Sequence, residues 1–331
     1  MQVQVQVPGG DADSLRRLHD AVCARDGHPA LNDAVWRDFA HPTPSSAGVL
    51  AVDREGLVGY AHVAPGDNTA SRHWELGLVV APRSRESGVE AVLLDEAADH
   101  IAAHGGGEAI LWVLGATDGD PADAALAPAG FAPQRDLLEL RAPIPPPERP
   151  RFPAGWSVRA FVAGTDDEAW LRVNNRAFAD HPEQGGWGPE ALAARRAEPW
   201  FDPAGFLLAT GPAGATGPAG ASGPAVASGP AVATGGQLAG FCWTKVHEPA
   251  PPGEPEALGE IFVIGVDPDH QGTGLGRALT LAGLDSLADR GVRTGMLFVD
   301  GANHAALGLY GSIGFVTHRR DRAYRRHVSA A

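Results

Sequence analysis

One loop of the sequence carries the residue types that bind a phosphorylated ligand. In the stretch VDPDHQGTGLGRAL, the pattern Gln271-x-x-Gly274-x-Gly276 lies between a predicted strand and a predicted helix. Glycine at these positions and at 272 lets backbone N–H groups approach a ligand without a side chain in the way. The helix that follows would point the positive end of its dipole at the same place. The loop therefore predicts a pyrophosphate cradle, and a glycine-rich turn that only packs tightly is the alternative.

The spacing separates this loop from two other phosphate-binding motifs. The dinucleotide fingerprint is Gly-x-Gly-x-x-Gly, which differs from the pattern here, and no Gly-Lys-Ser/Thr follows. A nucleotide P-loop is therefore excluded.

A single lysine is the second feature that could take part in binding or chemistry. Lys245, in LAGFCWTKVHEP, is the only lysine of the chain, and the other 25 of the 26 basic residues are arginine. A lysine that remains in such a composition can mark a position that needs a compact charge and not a planar guanidinium. Chance retention is the alternative.

The elements that must position these residues occur twice. Residues 76–115 and 259–301 both read as strand, loop, helix and strand, and each half closes with a Gly-Phe pair before a polar strand. Pro82 matches Pro268 and Gly88 matches Gly274 at one constant offset. Two copies at so long a period indicate a duplicated α/β domain and not a solenoid.

Composition shifts set the expected boundaries. The segment RAPIPPPERPRFPAG holds six prolines and predicts a linker at 141–155 between domains at 1–140 and 156–331. The Gly-Pro-Ala-rich stretch 211–236 breaks the three-residue glycine period of collagen, and it predicts a disordered hairpin loop.

Charge and composition exclude several classes of partner. The net charge of −14 over 331 residues argues against nucleic acid, whose phosphates need a basic face. No apolar run reaches about 18 residues, and the start lacks the features of a signal peptide, so we expect neither a membrane span nor export. Two cysteines and 13 scattered histidines predict no disulfide scaffold and no metal site. A cytoplasmic monomer is the expectation.

The loop motif, with Asn303, Tyr310 and Gly314-Phe315 downstream, resembles the coenzyme A binding core of the GNAT acetyltransferases. The resemblance implies an α/β fold of two tandem GNAT domains, each a mixed, strongly twisted β-sheet flanked by helices. Acetyl-CoA would lie where the strands EIFVIGV and GMLFVD splay apart. The implied cofactor contacts are Ile264, Gly265, Val266, Gln271, Gly272, Thr273, Gly274, Leu275, Gly276, Arg277, Asn303, His304, Ala305, Ala306, Leu307 and Gly308.

A narrower resemblance covers nearly the whole chain. The stretches RVNNRAFADHPEQGGW, GFCWTKVH and LGEIFVIGVDPDHQGTGLGRALT are similar to the mycothiol synthase family, which are tandem GNAT enzymes of actinobacteria. The resemblance implies an acetyl-CoA-dependent N-acetyltransferase that acetylates the cysteine amine of cysteinyl-glucosaminyl-inositol, the last step of mycothiol biosynthesis. It needs no metal.

The same resemblance assigns roles to individual residues. Glu260 would be the general base and a substrate contact, and its alternative is a strand-edge glutamate in solvent. Tyr310 would be the general acid, and its alternative is an aromatic residue of the core. The remaining implied substrate contacts are Asp33, Glu183, Lys245 and Phe298, the last replacing the family's usual tyrosine. Cys242 replaces the family's usual histidine, and we interpret it as a buried neutral thiol.

The N-terminal half is expected to do no chemistry. Its loop places Glu86 and Glu90 where a pyrophosphate would lie, and Ala124 stands at the position that matches Tyr310. The family resemblance implies a second acetyl-CoA site there, at the backbone of Leu78, Val79 and Val80 and at the loop from Glu86 to Ala91.

Two rival functions stay open. One is a tandem GNAT enzyme for another small amine or a peptide N-terminus, because a fold alone does not decide a substrate. The other is a non-catalytic acetyl-CoA-binding or regulatory protein, which the intact Gln271 loop, Glu260 and Tyr310 argue against.

Overall fold

The computed structural model describes residues 2–6, 12–66, 73–85, 87–119, 121–179, 185–211, 236–249 and 256–331. The strands are β1 (Gln2–Gln6), β2 (Ala47–Asp53), β3 (Gly56–Pro65), β4 (His73–Val80), β5 (Gly107–Val113), β6 (Ala132–Pro143), β7 (Ser157–Ala160), β8 (Phe206–Gly211), β9 (Gln237–His247), β10 (Leu258–Val266), β11 (Thr294–Asp300) and β12 (Val316–Val328). The helices are α1 (Ala12–Asp26), α2 (Asp33–Ala40), α3 (Val89–Ala103), α4 (Pro121–Leu126), α5 (Asp167–Ala177), α6 (Pro189–Arg196), α7 (Leu275–Asp289) and α8 (His304–Ile313). Residues 212–235 of the predicted hairpin loop lie outside the described part, and the strands β8 and β9 on either side pair antiparallel.

The twelve strands form one mixed sheet across both halves of the chain. Their order is β1-β2-β3-β4-β5-β12-β6-β11-β10-β9-β8-β7. The pairs β4–β5 and β10–β11 are parallel, each with a crossover helix between its strands, and the other neighbours are antiparallel. The predicted repeat of strand, loop, helix and strand is confirmed in both halves.

The two strands at the centre of the sheet are exchanged between the halves. β12, the last strand of the chain, pairs with β5 of the first half, and β6 of the first half pairs with β11 of the second. β6 and β12 also pair with each other. β6 continues to Pro143, inside the segment predicted as linker, because Ala142 and Pro143 pair with β11. The predicted division at 140 and 156 stays a prediction.

The hydrophobic cores follow this exchange. Tyr324 and Val328 of β12 belong to the core of the first half, together with residues of β2 to β5. Leu140, Ala142 and Ile144 belong to the core beneath α7 in the second half. Each half therefore needs side chains from the other half to fill its interior.

Charged side chains fill the space over the exchanged strands. Glu139, whose side chain is 2% exposed, accepts a hydrogen bond from Arg141 Nε at 2.6 Å and pairs with Arg319 at 3.1 Å. Arg319 also donates to Asp321 at 2.9 Å, and Asp321 accepts from the Gly115 amide at 3.0 Å. Because buried charges need partners, this network explains how two polar strands can occupy the middle of a sheet.

Helices cover both faces of the sheet. In the second half, α7 packs on Cys242 and Ile261, whereas α5 packs on the opposite face against Phe241 and Trp243. In the first half, α3 packs on β2 and β3, and α1 packs on β3 and β4. Within the described ranges, no helix has the length and apolar character needed to span a membrane.

Removal of Glu139 tests the central network. Glu139→Ala leaves Arg141 and Arg319 without their shared carboxylate in a buried setting, so we expect a loss of roughly 3 kcal/mol, at the low end for a broken buried pair because Arg319 keeps Asp321. The measurement is the free energy of unfolding in urea. Asp118→Ala is the control, since Asp118 pairs with Arg320 while its side chain is 90% exposed, and its unfolding midpoint should stay unchanged. Equal stability of the two variants would contradict the structural role of the network.

Candidate active site

β10 and β11 separate after three paired positions. The parallel register runs from Leu258 opposite Thr294 to Glu260 opposite Met296. β10 nevertheless continues to Val266, still paired with β9 on its other edge, and β11 continues to Asp300. A V-shaped opening therefore begins at Glu260, and the predicted backbone contacts Ile264, Gly265 and Val266 lie along one side of it. Backbone N–H and C=O groups on such an edge can pair with an amide-containing ligand.

The predicted phosphate loop lies at the wide end of this opening. Gly272 and Gly274 have φ of 75° and 85°, a left-handed conformation that glycine adopts without strain, and a Cβ at either position would meet nothing within 4 Å. Gly274 is the N-cap of α7, and no side chain caps this end of the helix. The loop is closed from within, because Gln271 Nε2 donates to the Val266 carbonyl at 3.3 Å and Thr273 Oγ1 donates to the His270 carbonyl at 2.7 Å. The first N–H groups of α7 thus lack a side-chain partner, which is what an anion site needs.

Arg277, in the first turn of α7, is already engaged by other side chains. Its guanidinium pairs with Glu148 of the proline-rich segment, with Nε at 3.3 Å from Oε1, and its Nη1 donates to Ser312 Oγ at 2.6 Å. Leu275, the first residue of α7, has a buried side chain, so it can contribute only backbone atoms to a ligand. To contact the cofactor as predicted, Arg277 must therefore bind it in addition to Glu148 and Ser312.

α8 supplies the candidate acid. Asn303 is the N-cap of α8, where its side chain accepts from the Ala306 amide at 3.1 Å. Tyr310 lies towards the C-terminal end of α8 and is 8% exposed. Its ring lies 5.9 Å from the ring of Phe315 in an edge-to-face contact. Burial raises the pKa of Tyr310 to about 12, so the phenol keeps its proton at neutral pH. The other predicted contacts of this helix, His304, Ala305, Ala306, Leu307 and Gly308, lie in its first turns and are exposed or half-buried.

A carboxylate marks the point where the strands part. The Glu260 side chain is 9% exposed, and its Oε2 lies 2.7 Å from Nε2 of His247 on the neighbouring strand. Glu260 is therefore not the solvated strand-edge residue that was its alternative. His247 was missed in the sequence, although the alternation of β9 places it on the same face as Lys245.

Lys245 and Asp33 meet across the two halves of the chain. Lys245 is opposite Glu260 in the β9–β10 register, but its Nζ donates to Asp33 Oδ2 at 3.2 Å and lies 5.2 Å from the centre of the Trp200 ring. The lysine side chain is 13% exposed, whereas that of Asp33 is 81% exposed. The structure thus places Asp33 beside Lys245, and Lys245 opposite Glu260. Their role as substrate contacts stays a prediction.

Three further sequence predictions have separate outcomes. Phe298 is 37% exposed on β11, one of few large apolar side chains that face solvent within the described ranges. Cys242 is fully buried, and burial raises the pKa of its thiol, which agrees with a neutral cysteine. Glu183 lies outside the residues that the structure describes.

The N-terminal half repeats the geometry of the opening. β4 and β5 stay paired only to Leu76 opposite Leu111, although β4 continues through Leu78, Val79 and Val80, and Gly88 is an uncapped N-cap of α3 with φ of 84°. Glu90 lies in the first turn of α3, and Glu86 lies outside the described residues.

The N-terminal half also holds a carboxylate that sequence matching missed. Glu75 pairs with Ile110, as Glu260 pairs with Met296, and its Oε1 lies 3.1 Å from Nε2 of His73. The constant offset between the halves does not align Glu75 with Glu260, because β10 has a bulge between Ile261 and Val263. Ala124 of α4, however, offers no hydroxyl in place of Tyr310.

A cavity of about 730 Å³ opens elsewhere, beside His304 and over β6 and β12. Arg320, Arg322 and Asp136 line it, and Arg322 donates to Asp136 at 2.7 Å. Neither Glu260 nor Tyr310 lines this cavity, so the V-shaped opening and not the cavity is the candidate active site.

Comparisons with known proteins agree with this geometry. A family model described as the acetyltransferase (GNAT) family matches residues 14–131 and 215–315. Mycothiol acetyltransferase of Thermobispora bispora is 40% identical over 329 residues, which cover 98% of this chain and 99% of that protein. Mycothiol acetyltransferase of Salinispora arenicola is 44% identical over 322 residues, with 96% and 89% covered.

Two solved structures share the fold. A GCN5-related N-acetyltransferase from Sphaerobacter thermophilus has a TM-score of 0.73 and 22% identity, and the alignment covers 99% of this chain and 96% of that chain. A tandem GNAT protein from the clavulanic acid biosynthesis pathway has a TM-score of 0.68 and 16% identity over the full length of both chains. They confirm the predicted pair of α/β units.

The uncapped end of α7 can be tested with two variants of one residue. Gly274→Asp and Gly274→Asn have the same shape, and both side chains tolerate a left-handed backbone, but only aspartate adds a negative charge at the helix N-terminus. We expect the Kd for coenzyme A, measured by calorimetry, to be about tenfold higher for aspartate than for asparagine, because like charges repel there. Equal Kd values for the two variants would mean that no anion binds at this end of α7.

Proposed function

Because the chain belongs to the GNAT acetyltransferase family and, within it, to the mycothiol acetyltransferases, we propose that it acetylates the cysteine α-amine of cysteinyl-glucosaminyl-inositol with acetyl-CoA. The chain is an acetyltransferase, and relatives that it matches over nearly their full length are named mycothiol acetyltransferase. The observation that carries the proposal is the position of Glu260. This carboxylate lies at the last paired position of β10 and β11, where a thioester held in the opening would end.

Coenzyme A fits the residues of the second half. The V-shaped opening exposes a strand edge to the two amide groups of a pantetheine arm, and the uncapped N–H groups of α7 suit the pyrophosphate. Gly272 and Gly274 keep side chains out of the loop, so phosphate oxygens can approach the backbone. Acetyl-CoA would supply the thioester, and the residues of this chain would bind it and move the protons.

Acetyl transfer from a thioester to an ammonium requires the nitrogen to lose two protons and the departing thiolate to gain one. Glu260 removes a proton from the substrate ammonium, directly or across one water, and the freed nitrogen attacks the thioester carbonyl carbon. A C–N bond forms, the C–S bond breaks, and the electron pair of that bond stays on sulfur. Tyr310 then donates its phenolic proton to the leaving thiolate, which suits a phenol that burial keeps protonated. The acylated nitrogen still carries one proton too many, which it gives through water to the tyrosinate, and Glu260 releases the first proton to solvent.

The proposed acceptor is a polyhydroxyl compound with a free amine, and charged side chains near the V-shaped opening suit its ammonium and hydroxyl groups. We propose that Asp33, Lys245, Glu183 and Phe298 contact it, with Asp33 reaching in from the N-terminal half. Carboxylates suit the ammonium and the hydroxyls, whereas a lysine adds rotatable donors. The monomeric state, the lack of a metal and the second acetyl-CoA site at Leu78, Val79 and Val80 remain proposals of the same kind.

The direct experiment incubates the protein with acetyl-CoA and the precursor and separates the products by chromatography with mass detection. A thiol reagent is unsuitable, because the acceptor itself carries a thiol. We expect N-acetylated product, and we expect Glu260→Gln to lower kcat by about 10²-fold through loss of the base. Glu248→Gln, an exposed glutamate beyond the end of β9, is the control. Acetylation of other small amines but not of this precursor would replace the proposed acceptor.

The role of Tyr310 can be tested at two pH values. Tyr310→Phe keeps the packed ring and removes the hydroxyl, so we expect kcat to fall by about 10²-fold while the thermal midpoint hardly changes. Burial raises the pKa of Tyr310 to about 12, and a raised phenol pKa favours the protonated form, so the wild-type acid is intact at both pH 7 and about pH 9. The ratio of wild-type to variant kcat should therefore be the same at both values. A ratio that collapses at the higher pH would show that the phenol ionises in the working range and contradict its role as acid.

A further inference from the structure

The candidate base has a specific hydrogen-bond partner that the function does not yet explain. Glu260 Oε2 lies 2.7 Å from Nε2 of His247, and the two residues come from adjacent antiparallel strands. The carboxylate is 9% exposed and the imidazole 29% exposed. A short contact to a nearly buried carboxylate fixes the rotation of that group.

The other charged groups around Glu260 have different partners. Lys245 is the direct cross-strand neighbour of Glu260, yet its Nζ is held by Asp33 of α2. Arg141 of β6 faces Met296, the β11 partner of Glu260, and its Nε donates to Glu139. The permanent cations next to the base are thus engaged by carboxylates other than Glu260.

This arrangement has a consequence for a base. A permanent cation paired with Glu260 would stabilise its charge and oppose proton uptake. An imidazole that carries its hydrogen on Nε2 donates to one carboxylate oxygen without adding a full charge. The second oxygen, Oε1, is then the one presented to the amine.

We propose that His247 is a positioning residue for acetyl transfer, whose Nε2–H holds Oε2 of Glu260 so that Oε1 meets the substrate amine. The inference rests on the proposed function, since it needs Glu260 as the base. The proton balance is simple. The ammonium gives one proton to Oε1 of Glu260, which releases it to solvent, and His247 keeps its own hydrogen throughout. Tyr310 protonates the thiolate and regains a proton from the acylated nitrogen.

Three variants at two positions test this role. His247→Ala should lower kcat by roughly tenfold, a tenth or less of the full effect of a general base, with an unchanged KM for acetyl-CoA. His247→Gln keeps an N–H donor of similar reach, so it should recover kcat to within about threefold of wild type. His327→Ala is the matched control, because His327 pairs with Glu108 at 2.8 Å on the surface of β12, with 66% of its side chain exposed.

A double-mutant cycle distinguishes positioning from a general loss of structure. In a Glu260→Gln background, His247→Ala should cause no further loss of kcat, because its effect passes through the carboxylate. An additional tenfold loss in that background, a kcat within about twofold of wild type for His247→Ala, or a glutamine variant as slow as the alanine variant would each overturn the proposal. If the alanine variant does not fold, His247→Leu, which fills the space without an N–H donor, takes its place in both measurements with the same expected results.

The same assay separates this inference from the function on which it rests. A wild-type enzyme that fails to acetylate the precursor contradicts the proposed function. A wild-type enzyme that acetylates it while His247→Ala stays fully active contradicts only the role of His247.

Discussion

The exchange of β6 and β12 is the constraint on which the active site depends. Each strand completes the sheet and the core of the half to which it does not belong in sequence, and the buried pair of Glu139 with Arg319 joins the two strands. The halves therefore cannot move apart without breaking sheet hydrogen bonds and exposing both cores. Folding therefore fixes the two halves against each other, so Asp33 of the first half is held beside Lys245 of the second half.

The two halves show how one backbone geometry serves unequal chemistry. Both have separated parallel strands, an uncapped helix behind a left-handed glycine, and a carboxylate with a histidine partner at or next to the last paired position. They differ at the helix that follows, where Tyr310 has a buried hydroxyl and Ala124 has none. Acetyl transfer needs an acid for the departing sulfur as well as a bound thioester, and of these two matching positions only Tyr310 carries a hydroxyl.

The parts of the fold that local pattern decides could be predicted from the sequence. The duplicated strand, loop, helix and strand and the glycine-rich loop at the start of α7 are found in the structure. The exchange could not be predicted, because polar strands such as β6 and β12 carry no pattern that selects a neighbour. Glu75 was missed for a different reason. A single bulge in β10 shifts the register by one residue, so the constant offset between the halves does not align Glu75 with Glu260. His247 could have been found from strand alternation alone.

The single lysine now has a physical context. Lys245 is held between a carboxylate of the first half and the face of Trp200, and little of it reaches solvent. The cation–π contact and the ion pair both favour a positive charge at this position. The compact ammonium of a lysine can make both contacts at the end of β9. The pair with Asp33 also keeps this charge from the carboxylate directly opposite on β10. The contact between the two halves therefore engages Lys245, and His247 is the residue whose side chain contacts the candidate base.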